Sequence, residues 1–373
     1  MSPQHPGSAG DRLAHLRGPR DPQSYTARKI TALTANPACS RRAVLDAAGI
    51  DKTALASRIG HDPRSGQSPF AIARGHSFEA LVKWGGYAEL IRLLRAELGV
   101  PVAEAAVVDL NDVAGDTSLR RRERETRGIV ERLAHGLDER LILDHPVLTL
   151  DVAGRTAYLE PDALSHRVDG KFYVVEIKSF AAIDGQADPT AVAQAAKQAA
   201  VYVLALRRAF NAAGRDPEQI AHEFLLVCPK DFSNRPYGRI VDVRQELDAL
   251  QFQLSRLPRA AAIAALLPPS ATLDIDRDPT ELAAAVAELD AAYMPDCLSF
   301  CEMARFCREE AESRALPARL GSAVRNDLPG IDSTRTALAH LDGTAPPGAE
   351  VADAVEQLRA AHRLRRLRGG DVA

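Results

Sequence analysis

The sequence predicts an α/β fold in which a central mixed sheet is flanked by helices, with further helical parts before and after the sheet. Three observations carry that prediction. Residues 25–136 place apolar side chains at three- and four-residue spacing, the period of a helix that buries one face. Residues 137–180 then break into short runs rich in β-branched and aromatic residues, punctuated by Gly154 and by a VDG turn. A long alanine-rich helix and another apolar strand follow, and helix, strands, helix, strand in that order is the pattern of an α/β core.

Residues 1–24 are rich in proline, glycine and charge, and are expected to form a disordered tail. From Tyr25 to about Val100 the stretches RRAVLDAAGI and FAIARGHSFEALVKWGGYAELIRLLRAEL read as helices, and another is expected from Ser118 to His135. Ser118 is its N-cap, followed three residues later by Arg121 rather than the Glu of a capping box. LILDHPVLTLDVAG, RTAYLEPDALSH and KFYVVEIKSF read as an antiparallel meander of three strands. DPTAVAQAAKQAAVYVLALRRAFNAAG is a long helix that starts at Asp188 and Pro189 and stops at Gly214. HEFLLVCPK is then a strand and YGRIVDVRQEL an edge strand, closing a core at residues 137–273. Residues 274–316 are helical and cysteine-rich, and residues 317–373 are an extension ending in a basic helix.

The 373 residues, 46% hydrophobic and 26% charged, have the composition of a soluble globular protein. With a net charge of −3 and a pI near 6.4, any nucleic-acid partner has to be held by local patches. SLRRRERETR, around Arg120 to Arg127, and HRLRRLRGG, around Arg363 to Arg368, are the densest, although a solvated helix face or charged tail explains the first equally well and the second better. No run reaches the roughly 18 apolar residues of a membrane helix. The N-terminus has no apolar signal core, so a cytoplasmic protein with no membrane partner is expected.

Within EPDALSHRVDGKFYVVEIKSF, Glu176 and Lys178 stand in a strand otherwise made of valine, isoleucine and aromatic residues. Alternation puts Phe172, Val174, Glu176 and Lys178 on one face, and a hairpin would bring Asp162 beside them. Buried charges persist only when they are paired, metal-bound or useful. Two carboxylates and an ammonium fit a Mg²⁺ or Mn²⁺ site for water attack on phosphorus, and a strand-end salt bridge between Glu176 and Lys178 is the competing reading.

Five cysteines without a secretion signal argue for free thiols or metal ligation rather than disulfides. Cys297 and Cys301 would share a helix face, Cys307 can reach the same point, and Cys39 stands far upstream. Four thiolates with no CxxC pair and no histidine suit a 4Fe-4S cluster better than zinc. Cys228, in FLLVCPK, reads as a small core residue.

The series PD-(X13)-EIK, with Asp162, Glu176 and Lys178, resembles the PD-(D/E)xK nuclease superfamily and its restriction-endonuclease-like core. Gln194, Gln198 and Tyr202 share a helix face, and Gln198-x-x-x-Tyr202 resembles the QxxxY motif of the RecB-like branch. Gly75 followed by Glu79 resembles that branch's first motif, with His76 as the rival ligand. The cysteine spacing, one before the core and three after it, is similar to that of iron–sulfur RecB-like nucleases, namely the CRISPR-associated spacer-acquisition exonucleases and the AddB-type nuclease domains. CSRR at Cys39 resembles the sequence around their first cluster ligand.

The resemblance implies a metal-dependent DNA nuclease, an exonuclease on ends or single strands. In it Asp162, Glu176 and Glu79 bind Mg²⁺ or Mn²⁺, Lys178 positions the nucleophile or offsets charge, and Gln198 and Tyr202 contact substrate. It also implies that Cys39, Cys297, Cys301 and Cys307 hold a 4Fe-4S cluster joining the helical N- and C-terminal parts. Defence against foreign DNA and DNA repair or recombination both fit, with proteins of those systems as further partners. The alternative is a non-cleaving nucleic-acid-binding or assembly subunit that keeps the fold and the cluster.

Overall fold

The computed structural model describes residues 9–63, 69–99, 106–111, 113, 115–136, 141–168, 170–257, 262, 266–268 and 270–369. Its strands are β1 (Ala106–Asp109), β2 (Leu141–Asp144), β3 (Leu148–Val152), β4 (Arg155–Leu159), β5 (Ala163–Val168), β6 (Lys171–Ile177), β7 (Ala182–Ile183), β8 (Gln186–Ala187), β9 (Ile220–Pro229) and β10 (Pro236–Asp242). Six form one mixed sheet in the order β1-β2-β5-β6-β9-β10. β1 runs parallel to β2 and β6 parallel to β9, while the other neighbours are antiparallel. β10 is an edge strand, as its sequence predicts, but the expected stretch is cut short at Asp242. The Asp242 carboxylate accepts from Arg244 N at 2.9 Å, and a helix starts there.

The three-strand meander is corrected. Pro146 and Pro161 lack the N–H that a strand interior needs, and His145 has φ 47°, so the first two runs each break in two. β2 and β5 stay in the main sheet, whereas β3 and β4 pair with each other as a separate hairpin. The two breaks lie side by side, His145 N donating to the Asp162 carbonyl at 3.4 Å. β1 is a further strand that the sequence reading missed.

The helices that matter here are α1 (Ala9–Arg17), α2 (Ala27–Ala35), α3 (Ser40–Ala48), α4 (Lys52–Arg58), α5 (Pro69–Lys83), α6 (Ala88–Leu98), α7 (Leu119–Ala134), α8 (Pro189–Ala212) and α9 (Arg244–Arg256). Asp188 caps α8, accepting from Ala191 N at 3.0 Å, and Gly214 follows with φ 67°. The alanines of α8 let its backbone lie close on one face of the sheet, packing Ala199, Tyr202, Leu206 and Phe210 with Phe172, Val174, Phe224 and Leu226. On the other face Phe78 and Val82 of α5 and Leu90, Leu93 and Leu94 of α6 pack with Val175, Ile177, Leu225 and Val227. Cover on both faces is why β6 and β9 read as continuous apolar runs rather than alternating ones.

A second core joins the two ends of the chain. Leu13 and Leu16 of α1, Leu45 of α3 and Leu55 of α4 pack with Leu273, Leu282, Val286, Cys297, Cys301 and Cys307. The disordered tail expected for residues 1–24 is therefore wrong from Ala9 onward, because Leu13 and Leu16 give α1 an apolar face to bury; residues 1–8 lie outside the described residues. The basic helix Ala352–Gly369 packs Ala354 and Val355 on Ile331 and Ala337. Among the described residues no helix is long and apolar enough to cross a membrane.

Candidate active site

The carboxyl end of β6 and the start of β5 position the first group of side chains. Ala163 pairs with Val175, which sets Asp162 opposite Glu176 across the ladder. Asp162 Oδ2 accepts from Ile177 N at 2.6 Å, and Lys178 N donates to the Val227 carbonyl at 2.8 Å, so all three motif residues are anchored through the sheet. Glu176 is 0% exposed, and its Oε1 has no hydrogen-bond partner. Lys178 Nζ lies 2.5 Å from the other oxygen, Glu176 Oε2, in a close ion pair.

The electrostatics follow from that burial. Burial pushes Glu176 up to about 8, with Asp162 adding to the rise and Lys178 only partly opposing it. Burial also raises Asp162. Burial works against the charge of Lys178, but Glu176 and Asp162 outweigh it, and the ammonium is held above its ordinary value. A carboxylate satisfied by its lysine would be driven down, so the pair leaves Glu176 short of positive charge.

α5 brings Glu79 to the same place, where it meets Lys83 and His145, while His76 of the same helix is exposed. Around Glu79 lies a network the sequence reading did not contain. Lys83 ion-pairs with Glu79 and, at 2.6 Å, with Asp144; Tyr87 donates to Asp144 at 2.5 Å. His145 stands 3.2 Å from Glu79 and 3.1 Å from Asp144. Burial disfavours both carboxylates, but hydrogen bonds from His145 and Lys83 hold Glu79 and Asp144 at about 2. Those same acids raise His145 to about 9. The i, i+4 spacing of Glu79 and Lys83 was a legible signal; the partnership with Asp144 and His145 was not, because it crosses from α5 to the end of β2.

Glu79, Asp162 and Glu176 thus lie close enough that Glu79 raises both Asp162 and Glu176, and Asp162 raises Glu176. They do not close into a tight cage: among the described residues the trio of candidate ligand atoms within 4.8 Å is Asp109, Asp144 and His145.

Tyr202 is buried, at 3% exposure, and its hydroxyl donates to the Glu160 carbonyl at 3.1 Å while accepting from Gln198 Nε2 at 3.0 Å. Both therefore brace the Glu160-Pro161-Asp162 turn; Gln198 is half-buried and Gln194 exposed. Arg122 braces it from the other side, bonding Glu160 at 2.7 Å and the carbonyls of Leu110 and His145 at 2.7 and 2.8 Å. Most of the basic patch on α7 is similarly occupied, with Arg121–Glu125 and Arg127–Glu123 ion pairs.

Cys39, Cys297, Cys301 and Cys307 line one cavity together with Asn36, Arg42, Tyr293 and Phe300. Arg41 donates to Cys307 Sγ at 3.1 Å and Asn36 to Cys297 Sγ at 3.5 Å. Burial raises the Cys307 thiol to about 12, against the pull of Arg41. No three of these sulfurs lie within 4.8 Å of one another, whereas tetrahedral zinc with Zn–S near 2.3 Å brings its sulfurs to about 3.8 Å. Cys228 lies apart on β9, its thiol raised by burial to about 11.

No family model and no curated protein matches the chain. Among solved structures it is similar to a chain from Eubacterium rectale named "Putative exonuclease", with 13% identity, a TM-score of 0.32, and coverage of 71% of this chain and 86% of that one. A likeness of that size carries no argument about function, which has to come from the site.

Proposed function

We propose that the protein is a metal-dependent DNA nuclease that hydrolyses phosphodiester bonds at Asp162, Glu176 and Lys178. The observation that carries this reading is Glu176, a wholly buried carboxylate whose Oε1 has no hydrogen-bond partner and which stands beside a second acid. A residue placed only for stability has no reason to leave one of its oxygens buried and unsatisfied. Three carboxylates without a thiolate are the donor set of a hard divalent ion, so Glu79, Asp162 and Glu176 fit Mg²⁺ or Mn²⁺. Bound there, the ion would supply charge neutralisation at the phosphate and a bound water of lowered pKa.

The chain's own residues do the rest. Lys178 remains protonated and 22% of its side chain is exposed, so its ammonium can meet the phosphate or orient the water. Tyr202, Gln198 and Arg122 hold the turn that carries Asp162. Exposed aromatics just beyond α5 and β9 fit a nucleic-acid substrate: Trp84 and Phe232 are 82% and 96% exposed, and exposed Lys230 and Arg235 stand near Phe232 in the chain. Bases stack on such aromatics and phosphates meet such cations. The cysteine quartet, with cationic Arg41 and Arg42 against its sulfurs, fits a 4Fe-4S cluster as a clasp between the chain ends.

The test is cleavage of end-labelled single- and double-stranded DNA with Mg²⁺, with Mn²⁺ and with EDTA, alongside Lys178→Ala. Ion-dependent cutting that Lys178→Ala abolishes is expected, with DNA binding retained. Cutting undiminished by EDTA, or an unaffected Lys178→Ala protein, overturns the proposal.

A further inference from the structure

Lys83 sits where the acids of the site converge. Its ammonium ion-pairs with Glu79 and, at 2.6 Å, with Asp144; it donates to the Asp162 carbonyl at 3.1 Å and lies 3.5 Å from His145 Nε2. The side chain is only 10% exposed. Two carboxylates and a peptide carbonyl around one ammonium are donors a hard divalent cation would choose. Here they enclose an ammonium tethered to α5.

We infer that Lys83 is a built-in cation standing in for a second metal ion, so that the site works with one divalent ion per chain. This rests on the nuclease reading above. The ammonium's three protons are all committed, to Glu79, Asp144 and the Asp162 carbonyl, so Lys83 has none left for substrate and is a positioning residue. Paired ions in two-metal sites stand about 3.5–4 Å apart and share carboxylates. An ion held by Glu79, Asp162 and Glu176 would share Glu79 with Lys83, and a second ion could enter only by stripping that ammonium from Glu79 and Asp144. The arrangement sets a tethered ammonium where a second ion would otherwise bind and leaves one ion to be recruited.

The experiment counts bound Mn²⁺ by equilibrium titration, with the free ion read by electron paramagnetic resonance, on the wild-type chain and on Lys83→Met and Lys83→Gln. The wild type is expected to bind one ion in this site, lost in Glu176→Gln. Each lysine variant is expected to bind two, with the added ion lost when Asp144→Asn is introduced as well. A purely structural lysine, pinning α5 to the sheet, would lower the melting temperature and leave the count at one; folded variants that still bind one ion overturn the inference. A wild type that binds two ions in this site overturns it too, and would place the second at Asp109, Asp144 and His145. If neither lysine variant folds, the wild-type count alone decides between one ion and two. A wild type that binds no Mn²⁺ removes the nuclease reading and this inference together, whereas one bound ion in both forms removes the inference alone.

Discussion

At the scale of single residues, the competing explanations of Glu176 make opposite predictions about stability. Were Glu176 and Lys178 simply partners, removing the carboxylate would strand a buried ammonium at a cost of about 3–5 kcal/mol. In a metal site lacking its ion, Glu176 instead suffers burial and the neighbouring Asp162. Glu176→Gln is therefore expected to leave the melting temperature in EDTA unchanged or higher while cleavage falls by orders of magnitude; a strongly destabilised variant with near-normal cleavage sinks the metal reading. The pH dependence has a definite sign. Glu176, raised from 4.5 to about 8, binds protons in the folded state that it would release on unfolding, so stability falls as pH climbs through that interval. His145, raised from 6.5 to about 9, contributes fully below 6.5 and loses its contribution as pH rises through 9. Glu79 and Asp144, held at about 2, contribute at higher pH and fail only in strong acid. Melts in EDTA are expected to fall steadily from pH 6.5 to 9, less steeply in Glu176→Gln; a flat profile would contradict the burial argument.

At the scale of elements, the site is made where two strands break. β2 ends in Asp144 and His145 before Pro146, β5 begins after Pro161 and Asp162, and α8 reaches the second break through Tyr202. Tyr202→Phe keeps the ring in the core and deletes one buried hydrogen bond, so a loss of about 1 kcal/mol is expected. Cleavage should fall more than stability accounts for, because the Asp162 turn loses its brace; an unchanged rate per folded molecule would mean that Arg122 suffices. Trp84→Ala, at the exposed end of α5, is expected to weaken single-strand binding by about 1–3 kcal/mol without moving the melting temperature. This scale also marks the limit of the sequence. β6 and α8 were readable, because an apolar run carrying two charges and an alanine-rich stretch with a Pro start and a Gly stop are local signals. The splitting of the meander was not, since both halves of each run have the same strand composition and only tertiary pairing decides which joins the main sheet. For the same reason Glu79 could be picked out on α5, but not its link through Lys83 to Asp144.

At the scale of the whole molecule, the chain ends meet around the four cysteines, with Arg41 and Cys307 in contact although 266 residues apart. The apolar contacts of α1, α3 and α4 with the segments around Leu273 and Leu282 already hold the ends together, so a cluster there would add a cross-link rather than create the interface. That gives a graded expectation. Protein prepared without air should be brown and contain iron, and Cys39→Ser, Cys297→Ser, Cys301→Ser or Cys307→Ser should bleach it, whereas Cys228→Ser should not. Because each of the four replacements is expected to lose the whole cluster, the loss of stability should be similar whichever is removed, and confined mainly to the end-to-end core. Limited proteolysis of a bleached variant should then release the ends first and leave the sheet with α8 intact. Stoichiometric zinc in place of iron would overturn the cluster, and simultaneous collapse of sheet and ends would mean that the two cores fold as one unit.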